Sequence, residues 1–269
     1  MKHRIRVGLL KAVPKCWDLD GNMALYEHHL RDAREQGVEL LITGESFLDG
    51  YAPIQKSCTR IRLARVAQDL ERGPYLRRMR SLARESRMWQ VFGFTQRKGR
   101  RIYNAALLVD DRGQIAGVYQ KTHLQAQDKI FDPGCSLPVF QTPWGPLGIV
   151  ICADRRWPET IRCLRVQGAR LIANPTFGMC HEANEGWMRT RGYENQCFVC
   201  FSHPRMALIA GPGGEVVAKL QSSVPGVLVE DLDLQRAKED NHLADRRPEL
   251  YGALVERSAQ SKKSRRRAP

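Results

Sequence analysis

The chain alternates short apolar runs with amphipathic segments. "RIRVGLL" (4–10) is the first run, and "NMALYEHHLRDAREQG" (22–37) follows with apolar positions at helical spacing and Gly37 as a helix stop. "VELLIT" (38–43) is a short run of the buried type that delivers Glu45 to its C-terminal end. Residues 60–87 read as helical with a break at Gly73-Pro74, where proline suits a fresh N-terminus. Strands are predicted over 89–95, 101–110 and 114–121, the last two joined by a turn at "DRG" (111–113). The second half repeats the theme. Strands at 147–152, 170–174 and 197–202 alternate with helices at about 157–167 and 183–195, and short strands follow at 206–210, 215–220 and 226–232.

Hairpins mixed with strand–helix–strand units predict a layered α/β sandwich rather than an all-parallel sheet. There is no internal repeat of about 20 to 50 residues and no glycine-rich phosphate loop. A chain of 269 residues, 42% of them hydrophobic, can bury one large core. The expected organisation is a single domain over 1–256 followed by a basic, disordered tail over 257–269. No apolar stretch approaches the ~18 residues of a membrane span, and the one in "MKHRIRVGLLKAV" is too short for a signal peptide. A cytoplasmic protein with no membrane partner is expected.

The net charge of +14 suggests polyanionic partners, but five of those charges sit in the terminal "SKKSRRRAP", which leaves +9 for the rest. No nucleic-acid motif accompanies them, so a solvated tail is expected and nucleic acid is not. Eight cysteines are scattered without a framework and read as free thiols. "CFVC" (197–200) has no second pair to complete a metal site and reads as a buried strand. No metal and no organic cofactor is expected.

Three residues change the picture. Glu45, Lys121 in "GVYQKTHL" and Cys152 in "PLGIVICADRRWPE" each stand at the C-terminal end of a predicted strand. Taken singly they read as a loop acid, a lysine extending past a strand end and a small core residue. Taken together at one sheet edge they supply a base, a cation and a nucleophile. A thiol with a pKa of ~8.5 needs a base and a nearby positive charge to react at neutral pH. Glu45 can take the proton, while Lys121 and the Ala153 N–H can hold a negative tetrahedral oxygen.

"TGESFLDGY", "YQKTHL" and "GIVICADRRWPE" resemble, in order, the three catalytic blocks of the nitrilase superfamily, the carbon–nitrogen hydrolases with a Glu-Lys-Cys triad. "FDPGCSLPVFQTPWGPLG", "ANPTF", "GYENQCFV" and "DRRPELYGAL" resemble its connecting and C-terminal blocks, so the similarity runs from about residue 4 to 254. The resemblance implies an α-β-β-α sandwich that pairs into a four-layer homodimer or a larger homo-oligomer. It also implies Glu45, Lys121 and Cys152 as the catalytic residues, with no cofactor.

Two departures refine this. Many members carry a second glutamate four residues before the aromatic of the F-x-P-G block. That position falls on Gln127 here, with Asp128 next to it. Cys152-Ala153-Asp154 replaces the Cys-Trp-Glu usual in nitrile hydrolases, which favours amide-type substrates. "DRRWPE" (154–159) is similar to N-carbamoyl-amino-acid amidohydrolases, in which arginines after the cysteine bind a substrate carboxylate. Ala153, Arg155 and Asn174 are the candidate substrate-binding residues, while His123 and Glu194 are read as orienting and structural. The expected activity is thioester-mediated hydrolysis of a small linear amide or N-carbamoyl compound. A non-catalytic nitrilase-like binding scaffold and a nitrile hydrolase stand as alternatives.

Overall fold

A computed structural model describes residues 2–256, so the tail expected over 257–269 lies outside the described residues. The first half of the chain gives β1 (Arg4–Lys11), α1 (Leu19–Glu35), β2 (Leu40–Ile42), α2 (Arg60–Val66), α3 (Pro74–Ser86), β3 (Trp89–Lys98), β4 (Arg101–Val109) and β5 (Ile115–Gln120). The second gives β6 (Val139–Thr142), β7 (Gly145–Ile149), α4 (Pro158–Val166), β8 (Leu171–Pro175), α5 (Ala183–Asn195), β9 (Phe198–His203), β10 (Met206–Ala210), β11 (Val216–Leu220) and β12 (Gly226–Asp233). Two one-turn helices, α6 (Asn241–Ala244) and α7 (Gly252–Val255), belong to a second compact unit that begins at Glu239, and neither buries a residue.

The strands form two six-stranded sheets, ordered β12-β1-β2-β3-β4-β5 and β11-β10-β9-β8-β7-β6. Pairing is parallel at the centre of each, β1-β2-β3 and β7-β8-β9, and antiparallel outside it. The register stacks Leu9, Ile42 and Val91 side by side, facing Ile149, Ala173 and Cys200 of the other sheet in a core between the sheets. Alternate residues face outward instead. Leu10, Leu41 and Phe92 pack under Met23, Tyr26 and Leu30 of α1 and Leu76 and Met79 of α3. Ile172, Val199 and Leu208 pack under Ile161 and Leu164 of α4 and Met188 of α5. Central strands buried on both faces explain the unbroken apolar runs, and the layers follow the order α-β-β-α.

Local signals set the boundaries. Asp18 caps α1 by accepting the Gly21 N–H at 3.0 Å, and Gly37, at φ 73°, carries the chain out of that helix. One expected boundary is corrected and one strand was missed. The strand expected over 147–152 ends at Ile149, because the chain must leave the sheet to bring Cys152 to φ 45°. The edge strand β6 was not legible, being four residues long and half-exposed, too short to show a period. Among the described residues, no helix is long and apolar enough to cross a membrane.

Candidate active site

β2 ends after three residues, and the chain turns away with Thr43 still tied to β3. The Thr43 N–H donates to Val91 O at 3.0 Å, and its hydroxyl accepts the Gly93 N–H at 2.9 Å. A Cβ on Gly93 would lie 2.1 Å from Gly44 O, so only glycine permits this approach. Ser46 and Tyr51 both hold left-handed backbone, at φ 43° and 50°, within the loop that follows. Buried Asp49 fastens that loop by accepting the Thr95 hydroxyl at 2.8 Å and the Ala52 N–H at 3.2 Å. Glu45, 1% exposed, is thereby fixed with its carboxylate fully engaged. Oε1 accepts from Asn104 Nδ2 at 2.8 Å and Lys121 Nζ at 2.6 Å, and Oε2 from the Phe177 N–H at 3.0 Å.

Lys121 follows β5 directly and keeps a strand-like bond, its N–H donating to Asn104 O at 2.9 Å. Its carbonyl accepts the Gly134 N–H at 2.8 Å, which seats the F-x-P-G segment against the strand end. A 3-10 turn over Ala126–Ile130 then presents Asp128, 1% exposed, to the lysine. Asp128 Oδ2 accepts from Lys121 Nζ at 2.5 Å, and Oδ1 from the Tyr51 hydroxyl at 2.6 Å. Asp128 thus pairs with Lys121, while Gln127 lines the cavity beside it.

Cys152 opens a 3-10 helix, Cys152–Arg156, in a left-handed conformation that costs a non-glycine residue on the order of 1 kcal/mol. Asp154, fully buried, holds that turn. Oδ2 accepts the Ile151 N–H at 3.0 Å and the Tyr119 hydroxyl at 2.7 Å. Oδ1 accepts the Thr122 hydroxyl at 3.0 Å and the His123 N–H at 2.9 Å, and lies 2.9 Å from His123 Nδ1. One side chain therefore clamps the cysteine turn to the segment that carries Lys121. His123 stacks on Trp157 at 4.2 Å.

Cys152, Lys121, Asp128, Tyr51, Ala153 and Arg155 face a cavity of about 120 Å³. Its rim is clasped by Arg156, which donates to Gln125 Oε1 at 2.9 Å and Met179 Sδ at 3.8 Å. Ala153 lies in the first turn of its helix, where an N–H has no intrahelical acceptor. Arg155, 1% exposed, points Nη1 at Cys152 Sγ at 3.4 Å and donates Nη2 to Asn184 Oδ1 at 2.7 Å. Among the described residues no carboxylate pairs with it, and its Nε has no partner. Asn174 does not line this cavity. Its Nδ2 donates to Val150 O at 3.1 Å, bracing the chain two residues before Cys152.

Burial raises the Glu45 carboxyl above its ordinary range; Lys121 opposes the shift and Asp128 adds to it. Burial also raises the Cys152 thiol, as does Glu45, against the pull of Lys121 and Arg155. For Lys121, burial works downward, but Glu45, Cys152 and Asp128 hold the ammonium above its ordinary value. The resting arrangement is a neutral thiol, a fixed cation and a carboxylate of enhanced basicity. Such a set can move a proton from sulfur to oxygen as sulfur attacks a carbonyl, and can stabilise the resulting oxyanion.

Residues 6–241 match the family described as carbon-nitrogen hydrolase. The chain belongs to the carbon-nitrogen hydrolase family. It is 30% identical over 273 residues to a protein named "Hydrolase in pqqF 5'region" from Pseudomonas protegens, covering 94% of this chain and 93% of that protein. It is 28% identical to N-carbamoylputrescine amidase of Arabidopsis thaliana over 88% of this chain and 91% of that enzyme. Among solved structures it superposes with TM-score 0.80 and 25% identity on a glutamate-to-glutamine mutant of the amidase from Nesterenkonia sp. AN1, over 93% and 97% of the two chains. That structure shows covalent addition of the acetamide moiety of fluoroacetamide at its active site cysteine. The enzyme class is accordingly a carbon–nitrogen hydrolase of amidase type, and the sandwich is the fold of this family member's solved relatives.

Of the residues singled out from sequence, Glu45 and Lys121 touch, and Lys121, Cys152, Ala153 and Arg155 share a cavity. Tyr51, Asn104, Asp154 and Asn184 were not anticipated. Asn104 carried a signal, a lone amide inside the apolar run of β4. Asp154 carried none, because it joins Ile151 in its own turn to Tyr119 at the end of β5 and to Thr122 and His123 just beyond, a meeting that no local pattern defines.

Proposed function

We propose that the protein hydrolyses a small linear amide or N-carbamoyl compound through a thioester on Cys152. Glu45 takes the thiol proton as sulfur bonds to the substrate carbonyl carbon. Lys121 and the Ala153 N–H receive the oxyanion. The carbon–nitrogen bond then breaks, and Glu45 returns the proton to the departing ammonia or amine. A water deprotonated by Glu45 attacks the thioester, releasing the acid and restoring the thiol. The buried Lys121, 2.6 Å from Glu45 and on one cavity wall with Cys152, is the observation that carries this reading.

The substrate class rests on Arg155. A buried guanidinium facing the cavity without an acid partner is costly, and a substrate carboxylate at that point would neutralise it. This favours N-carbamoyl amino acids over neutral amides. Pairing of two copies through α4 and α5 belongs to the same proposal, supported by exposed Val166 and Tyr193 on those helices. Sedimentation would test it.

The deciding experiment is ammonia release across amides, N-carbamoyl amino acids and nitriles, comparing wild type with Cys152→Ala. Turnover of a carbamoyl compound that vanishes in the variant supports the reading. No turnover of any substrate by wild type, or equal turnover by the variant, overturns it. Arg155→Leu should raise KM for carboxylate-bearing substrates far more than for a neutral amide.

A further inference from the structure

Away from the Cys152 cavity, three metal-type ligands converge on α1. His28, His29 and Asp32 each offer a donor atom, and the three atoms lie within 4.8 Å of one another. Spacing explains the convergence: residues four and three apart on a helix lie on one face, so both imidazoles reach the same aspartate. His28 Nε2 lies 3.8 Å from Asp32 Oδ2, and His29 Nδ1 lies 3.0 Å from that same oxygen. A tetrahedral ion with bonds of about 2.0–2.2 Å holds its donors about 3.4 Å apart, a value these two distances straddle.

The surroundings leave room for a cation. Among the described residues no lysine or arginine pairs with Asp32, while the neighbouring Glu27 is already held by Arg78 at 2.8 Å. The two rings are 4.8 Å apart and tilted by 60°, so neither covers the other's nitrogen by stacking. His29 is 8% exposed at its side chain and His28 60%, which gives one fixed donor and one that can adjust. The platform is firm, because Met23, Tyr26, Leu30 and Ala33 anchor α1 in the core.

We propose that His28, His29 and Asp32 bind one divalent cation of the zinc type. Two imidazoles and one carboxylate select zinc, cobalt, nickel or copper over magnesium and calcium, which prefer all-oxygen sites. Three protein ligands leave a fourth position for water. None of the three residues lines the Cys152 cavity, so the site is independent of the proposed hydrolysis.

Activity is a poor readout, because zinc also poisons a reactive thiol. Cobalt(II) titration of the full chain followed by visible absorption avoids this. Nitrogen and oxygen ligation gives d–d bands without the near-ultraviolet charge transfer of thiolate ligation, which separates this site from exposed Cys135, Cys163 and Cys180. The expected result is one equivalent of cobalt bound without thiolate bands and displaced by zinc. His28→Ala, an exposed change that spares folding, should weaken binding about tenfold, equivalent to about 1.4 kcal/mol. Asp32→Asn should do the same. A spectrum dominated by thiolate charge transfer, no stoichiometric binding, or unchanged affinity in both variants would overturn the proposal.

Discussion

Asp128 Oδ2 lies 2.5 Å from the Lys121 ammonium, with both side chains about 1% exposed. With Glu45 Oε1 at 2.6 Å on the same nitrogen, one buried cation bridges two buried carboxylates. The lysine is thereby fixed in position and in charge. It faces the cavity without needing any rearrangement to do so, which is the condition for electrostatic stabilisation of an oxyanion.

Asp128→Asn keeps the side chain's shape and its acceptor for Tyr51 but removes one charge holding Lys121. Turnover should fall ~10²-fold, with a smaller change in KM. Gln127→Ala, in the same cavity wall, should stay near wild type. Steady-state kinetics of both variants on the best panel substrate decides between the neighbours. A collapse in Gln127→Ala with normal turnover in Asp128→Asn would reverse the assignment.

Lys121→Met removes the cation from between two carboxylates that remain buried. A stability loss of about 3–5 kcal/mol is expected, since breaking one side of a buried ion pair strands the other. Turnover should fall ~10² to 10³-fold in the fraction that stays folded. Adding Glu45→Gln to this variant takes away one stranded charge, so its urea midpoint should recover part of the loss while turnover does not recover. Additive destabilisation in the double variant would show that the three groups are not coupled.

The fold was legible because each central strand is apolar on both faces and the helices that cover the sheets, α1, α3 and α4, each have one apolar stripe. Glu45, Lys121 and Cys152 were legible for a related reason: a charged or nucleophilic residue ending a buried run must be housed or used. Asp128 could be narrowed only to itself or Gln127. It stands on a single 3-10 turn, where no period distinguishes the inward residue from its neighbour. The clamp by Asp154 was hidden because it ties the turn at Cys152 to the end of β5 and the residues just after it, which no local period relates. The true end of β7 was hidden too, since "GIVIC" continues to look like a strand after the backbone has turned.

Cys152 should react with iodoacetamide, a small amide that fits the cavity, at a rate that depends on Glu45. Burial keeps the thiol protonated at neutral pH, so it needs the carboxylate to become nucleophilic. Cys135, Cys163 and Cys180 are exposed and should label with bulky maleimides, which the 120 Å³ cavity excludes. Peptide mapping after both reagents, in wild type and Glu45→Gln, separates the classes. Equal iodoacetamide labelling of Cys152 in the two proteins would remove Glu45 from the role of base.

Asp49 holds the loop between Glu45 and Tyr51 with no cation paired to it among the described residues, and burial pushes its carboxyl up from 3.8 to about 6. The folded state therefore retains a proton that the unfolded chain releases earlier. Below about pH 4 both states are protonated and Asp49 costs nothing. As pH rises toward about 6 the unfolded chain ionises first, so stability declines, and above that the folded protein bears the whole cost of a buried charge. A shift of this size amounts to about 3 kcal/mol. Asp49→Asn cannot ionise, so its stability relative to wild type should climb by up to that amount between about pH 4 and pH 7 and then level off. Urea unfolding of both proteins across this range measures the difference. The absolute value at any one pH also reflects the altered bonds to Thr95 and Ala52, but those bonds do not titrate, so the slope reports Asp49 alone. A flat difference would mean that Asp49 is ionised throughout, and that the loop tolerates its charge by some contact other than the two hydrogen bonds described.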